Sequence, residues 1–314
     1  MKFRALMKGA AFAALLAGTA QAGEPTNLYW GDTHLHTKYS FDAFLNGNHT
    51  AGPDTAYRWA KGEPVIHPGH RAWIRIDRPL DFLVVSDHAE LMGAVHEIYF
   101  DQPLPDAGLI ESVRRWFVHQ ALIWAIDSDA GITAFRSLLP KKPQGNADPV
   151  TDPNNEPPSN ALGDMDEVEQ RVWNIIADAA DEHNDPGNFT AFIGWEWSSV
   201  PSGANIHRIV MSPTDGETAK QFLPYGSDQS QYPEDLWAWL DKTRSETGAE
   251  FIAIPHNSNA SKQMMFPDAD AAGAPIDLEY AQTRQHFEPL IEMMQIKGNS
   301  EVHRKFWAAD EFAD

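Results

Sequence analysis

His34 and His36 lie two residues apart in Gly31-Asp32-Thr33-His34-Leu35-His36. On an extended segment such a pair points to one face, so both imidazoles can bind one metal ion. Further ligand-type groups recur down the chain: Asp87-His88 after Leu83-Val84-Val85, Glu196 between Trp195 and Trp197, His207 after Asn205-Ile206, and His256 after Ile254-Pro255. With no cysteine in the chain, imidazoles and carboxylates together suit Zn, Mn or Fe. Taken singly these signals are weak. An H-x-H arises by chance in a chain with 13 His, a strand-terminal Asp often caps the next helix, Glu196 could be a half-buried structural carboxylate, and His256 could close a turn. Together, one after another at the ends of candidate strands, they are hard to obtain from core packing. Clustered divalent ions lower the pKa of a bridging water and clamp the attacking and leaving oxygens of an ester. Glu196, His207 and Asp87 are the catalytic candidates, with Asp32 and Asp87 as acceptors for the second ring nitrogens of ligand histidines.

Six candidate strands must position these groups, at 27–34, 81–87, 189–196, 205–211, 251–255 and 290–296. Between them, helical periodicity covers 54–60, 108–127, 164–183 and 234–247, the last behind Pro233 at a first-turn position. This alternation is the pattern of an α/β protein with mostly parallel strands. In such sheets and barrels the carboxyl ends of the strands converge on the ligand site. The interval at about 100–186 reads as a helical insertion around a Pro-rich polar loop at 141–161. Its amphipathic helices need the main body to cover their apolar faces, so it is not a separate domain.

The first 22 residues form a different kind of segment. Lys2, Arg4 and Lys8 precede an apolar run from Gly9 to Ala17, and Ala20-Gln21-Ala22 follows. These are the parts of a secretory signal peptide cleaved after Ala22, which predicts a secreted or periplasmic protein with no membrane attachment after cleavage. The whole chain carries 24 Lys and Arg against 45 Asp and Glu, a formal charge of -21, and loss of the leader removes three more positive charges. Such acidity disfavours nucleic acid and anionic lipid as partners. A small-molecule substrate is expected, and the sequence leaves the oligomeric state open.

The blocks named above, extended to Gly31–Thr37 with Ser40 and Asp42, to Asp81-Phe82-Leu83-Val84-Val85-Ser86-Asp87-His88-Ala89-Glu90, and to Lys297-Gly298-Asn299-Ser300-Glu301, resemble the PHP (polymerase and histidinol phosphatase) superfamily. They look most like its DUF3604 group of exported proteins. The resemblance implies a PHP-like distorted (β/α)7 TIM-type barrel holding two or three divalent metal ions. It implies His34, His36, Asp42, His88, Glu196, His207 and His256 as metal ligands, with Glu196 similar to a carboxylate that bridges two ions. The implied activity is metal-dependent hydrolysis of a phosphoester or related ester. Neither the motifs nor their spacing picks out a general acid for the leaving group; His303 and Glu301 are guesses. PHP proteins finish with a D-x-H on the last barrel strand, and none follows His256 here. The expectation is therefore a barrel one strand short, truncated before its last motif, with a catalytically impaired metal-binding protein as the alternative function.

Overall fold

The structure, a computed structural model, describes residues 27–100, 108–136, 162–301 and Lys305. The expected leader, the Pro-rich loop and His303 lie outside the described residues. Strand β1 (Gly31–Leu35) leads through the short helices α1 (Phe41–Leu45) and α2 (Pro53–Ala60) to a small hairpin of β2 (Val65–Ile66) and β3 (Trp73–Ile74), then to β4 (Phe82–Val85). Helices α3 (Ala94–Phe100), α4 (Leu109–Asp127), α5 (Gly131–Arg136) and α6 (Asp166–His183) precede β5 (Thr190–Trp197). After β6 (Arg208–Ser212) come α7 (Gly216–Ala219), α8 (Pro233–Thr247) and β7 (Ile252–Pro255). Helix α9 (Leu278–Phe287) and a hairpin of β8 (Met294–Gln295) and β9 (Gly298–Asn299) complete the described part. Among these helices, none is long and apolar enough to cross a membrane.

Five strands form one sheet in the order β1-β4-β5-β6-β7. The result is a mixed α/β architecture, a curled half-barrel surrounded by helices, where the resemblance implied a seven-stranded barrel. Its first three strands are parallel, whereas β6 is antiparallel to both β5 and β7. That departs from the expectation of ligands carried only at carboxyl ends. The link from Trp197 to Arg208 is too short for the crossover helix that a parallel partner needs, so the chain must reverse. Reversal still serves the site. Arg208 pairs with Trp197 on one side and Pro255 on the other, so His207, just before β6, stands level with the last residues of its neighbours.

The sixth candidate strand is a second correction. Of 290–296, only Met294 and Gln295 are in a strand, and they pair with β9 rather than with the main sheet. The apolar residues that suggested a strand, Leu290, Ile291, Met294 and Ile296, are exposed. Apolar composition without a sheet edge in register does not make a strand.

The core explains where Glu196 points. Strand β4 lies inside the sheet between β1 and β5, and Leu83, Val84 and Val85 are fully buried on both of its faces. Alternation along β5 turns Trp195 and Trp197 to the helix side. There Trp195 packs edge-on against Trp173 of α6 and Trp239 of α8, and both indole N–H groups find backbone acceptors in Tyr225 and Ser230. Glu196, between them, therefore faces the concave side. Helix α6 carries the exposed acids Asp166 and Glu167 in its first turn, where they complement the helix dipole, and buries Val172, Trp173, Ile176 and Ala180 at helical spacing.

Two stability tests follow from this packing. A Cβ on Gly194 of β5 would lie 2.4 Å from Val84 Cγ1 and 2.7 Å from the Val210 carbonyl oxygen. Gly194→Ala should therefore cost about 1–3 kcal/mol through overpacking, seen as a lower urea midpoint at unchanged slope; an unchanged midpoint would contradict this packing. The second concerns Glu169, whose carboxyl burial pushes up to about 8, with the negative charges of Asp228, Asp166, Glu90 and Asp164 adding to the effect. Because the folded chain holds this proton above the unfolded value, rising pH destabilises the fold progressively until Glu169 has ionised. Glu169→Gln should then be more stable than the parent above about pH 8 and equal to it near about pH 4. A difference independent of pH would show that this carboxyl is not held protonated.

Candidate metal centre

Glu196 is completely buried, and five imidazoles surround its two oxygens. Oε1 accepts from His207 Nδ1 at 2.6 Å and His256 Nε2 at 3.0 Å. Oε2 lies 2.7 Å from His36 Nε2, 3.4 Å from His34 Nε2 and 3.6 Å from His88 Nδ1. Each imidazole comes from a different place in the fold: the end of β1 and the residue after it, the loop after β4, the residue before β6, and the residue after β7.

Two groups of side chains in this cluster could hold a cation. His34, Glu196 and His256 form one, and His36, Asp42 and His88 the other, with the ligand atoms of each group within 4.8 Å of one another. Nitrogen and oxygen ligands sit at about 2.0–2.2 Å from a zinc-sized ion, so atoms at this spacing need only small adjustments to share one. The hydrogen bonding gives an independent test of fit. His36 Nε2, Glu196 Oε2, His207 Nε2 and His256 Nδ1 are all buried without a hydrogen-bond partner. His36 Nε2 and Glu196 Oε2 approach closely, but not in line for a hydrogen bond. An unsatisfied buried polar atom costs about 1–3 kcal/mol, and four in one cluster of electron-pair donors fit a divalent ion.

The electrostatics of the metal-free cluster follow from the same contacts. Burial would raise the Glu196 carboxyl, but His88, His256 and His207 together hold it well below the usual range. Burial also opposes charge on His34, yet the carboxylates of Glu196 and Glu292 on either side of its ring raise it to about 9. The carboxylates of Asp42 and Glu196 likewise override burial and raise His36. At His207 burial wins and pushes the imidazole down to about 4, and His256 is lowered for the same reason. Asp42 would be raised by burial, but His88 and His36 hold it low.

All seven residues that the resemblance implied as ligands are thus brought into one cluster. Asp42 has a divided role: its Oδ1 accepts from His36 Nδ1 at 2.9 Å and from Ser40 Oγ at 2.6 Å, while Oδ2 stands 3.6 Å from His88 Nε2. Asp87 sits behind the cluster. Both of its oxygens are taken by the backbone N–H and hydroxyl of Thr37, so it fixes the turn after His36; burial pushes its carboxyl up to about 6 against those hydrogen bonds. Asp32 accepts from the His34 backbone N–H rather than from an imidazole. Glu301 is exposed in a turn. Asn257, directly after His256, adopts the left-handed region at φ 62° with its side-chain amide buried and unpartnered, a strained conformation of the kind that concentrates at functional sites. Outside the cluster, His119 and His183 are buried against Leu162 and Asp54.

Three contacts escaped the sequence reading. Glu292 Oε2 lies 2.9 Å from His34 Nδ1, Ser198 Oγ meets His88 Nδ1, and the ring of Phe41 stacks on His88 at 4.4 Å. Ser198 follows Trp197 directly, so the end of β5 pointed to it; Glu292 sat inside a candidate strand and carried no motif.

Fold and site together define an α/β protein with a buried histidine–carboxylate centre able to hold metal. The chain belongs to the DUF3604 family of proteins of unknown function, which matches residues 23–314. No curated protein and no solved structure matches it.

Removal of the central charge gives the sharpest test of this electrostatic arrangement. Glu196→Gln leaves the imidazoles around a neutral amide, and breaking a buried charge network in this way costs about 3–5 kcal/mol. Urea denaturation of the chelator-treated protein near neutral pH should show that loss. Unchanged stability would mean that the imidazoles are not charge-coupled to Glu196.

Proposed function

We propose that this protein is a metal-dependent hydrolase of the PHP type, acting on a phosphoester or related ester of a small molecule. The observation that carries the reading is Glu196, a buried carboxylate that belongs to one group of candidate ligands and whose Oε2 also lies against His36 and His88 of the other. In this reading the half-barrel is part of a PHP-like distorted barrel, and two or three ions such as Zn, Mn or Fe are held by His34, His36, Asp42, His88, Glu196, His207 and His256. The ions would supply Lewis acidity, making a water acidic enough to attack at neutral pH and compensating charge on the ester oxygens.

The chain's own part is to build and orient that centre. Glu196 joins the two groups; Asp42 and Ser40 orient His36; Ser198 orients His88; Asp87 locks the turn that carries His36. His207, committed to Glu196 through Nδ1, keeps its Nε2 directed away from that bond. The site also reconciles an acidic protein with an anionic ester, because bound cations reverse the local field whatever the net charge of -21. Export fits the leader-like composition of residues 1–22, and the family match begins directly after the expected cleavage point at Ala22.

Purified protein should contain stoichiometric metal and hydrolyse a generic aryl phosphate or phosphodiester in a chelator-sensitive manner. His34→Ala and Glu196→Ala should lower metal affinity by at least the roughly 10–100-fold that loss of an outer partner alone costs, and turnover should fall in parallel. Bound metal with no turnover across phosphate, sulfate and carboxylate esters would replace the hydrolase by a non-catalytic metal-binding protein. Unchanged metal content in both variants would overturn the site itself.

A further inference from the structure

The segment after α9 is built to deliver one carboxylate. Its root is Glu288, almost fully buried and gripped by Arg208 Nε at 2.8 Å, Trp237 Nε1 at 2.9 Å and the Arg284 guanidinium at 2.9 Å. Arg208 is itself almost fully buried and directly follows His207 in the chain. Four residues on, the backbone N–H of Glu292 donates to the Pro255 carbonyl at 3.0 Å, next to His256. The arm is therefore clamped at both ends, each time to a residue adjoining a candidate ligand.

From the second clamp the Glu292 side chain turns into the centre. Oε2 meets His34 Nδ1 at 2.9 Å, and Oε1 is buried without a partner. On the opposite side of the same ring, His34 Nε2 faces Glu196 Oε2 at 3.4 Å. An acid making an incidental surface contact would be exposed and held by neither clamp; the Glu292 side chain is only 18% exposed.

We propose that Glu292 is a positioning residue of the metal centre, a role that rests on the metal-binding reading above. Its Oε2 accepts the Nδ1 proton of His34 and commits the Nε2 lone pair to the ion shared with Glu196 and His256. Imidazole ligands commonly give their second N–H to a carboxylate, which fixes tautomer and ring orientation. For His36 the same part is played by Asp42, so the paired histidines of β1 have parallel outer supports from distant parts of the chain.

The test uses the full chain and Zn(II) alone, with its affinity and stoichiometry measured by competition against a chromophoric chelator. Glu292→Leu, which cannot accept a proton, should bind the ion at His34 about 10–100-fold more weakly, while the metal-free protein keeps a cooperative melt. Glu292→Gln keeps an acceptor oxygen and should recover most of that affinity. In the zinc-loaded parent, the His34 Nδ1 proton should give a slowly exchanging NMR resonance that is missing from Glu292→Leu. Parental affinity and stoichiometry in Glu292→Leu would overturn the proposal and leave the metal centre standing, as would equal weakening in both variants. A parent that binds no zinc would instead remove the centre on which the proposal depends.

Discussion

A carboxylate with no exposure to water cannot remain ionised unless positive charge or a cation lies against it. Glu196 is such a group, and much of this fold can be understood as the means of surrounding it. Five imidazoles reach it from four parts of the sheet, and none could do so if β5 shifted by one residue. Such a slip would put Trp195 or Trp197 on the concave side and turn Glu196 into the aromatic layer under α6 and α8. The tryptophans thus hold the register that aims Glu196, by filling the opposite face.

The reversal of β6 belongs to the same constraint. Placed after a short loop, the strand can only run back along β5, and it therefore begins at the edge where its neighbours end. His207 and Arg208 sit at that beginning and divide the work: His207 joins Glu196, and Arg208 pairs with Glu288 at the root of the arm carrying Glu292. A buried ion pair of this kind adds little net stability, because desolvation offsets most of its attraction. Its consequence is geometric, tying α9 to the first residue of a strand at the site.

Much of the centre was legible in the sequence because strands have short periods and end abruptly. His34 and His36 share a face by alternation, and Asp87-His88, Glu196 and His256 each follow an apolar run whose end is visible in residue type alone. His207 was found at the right edge for an incomplete reason, since strand direction depends on the connection and not on the strand's composition. The stretch 290–296 misled because apolar residues signal a strand whether or not a sheet edge receives them. Glu292 stayed hidden within it: its function depends on where Glu288 and Pro255 hold the backbone, and no local pattern records contacts made across the fold. Asp87 was placed near the centre, but its hydroxyl and N–H partners on Thr37 could be seen only in three dimensions.

The chemistry of this protein turns on whether the space around Glu196 takes up metal. Crystals of the protein soaked in Zn(II) or Mn(II), with diffraction recorded on either side of the metal absorption edge, test it directly. Anomalous density is expected at coordination distance, about 2.0–2.2 Å for zinc, from Glu196 and from His34 or His36. A cluster without anomalous density, or ions found only at surface carboxylates, would contradict it.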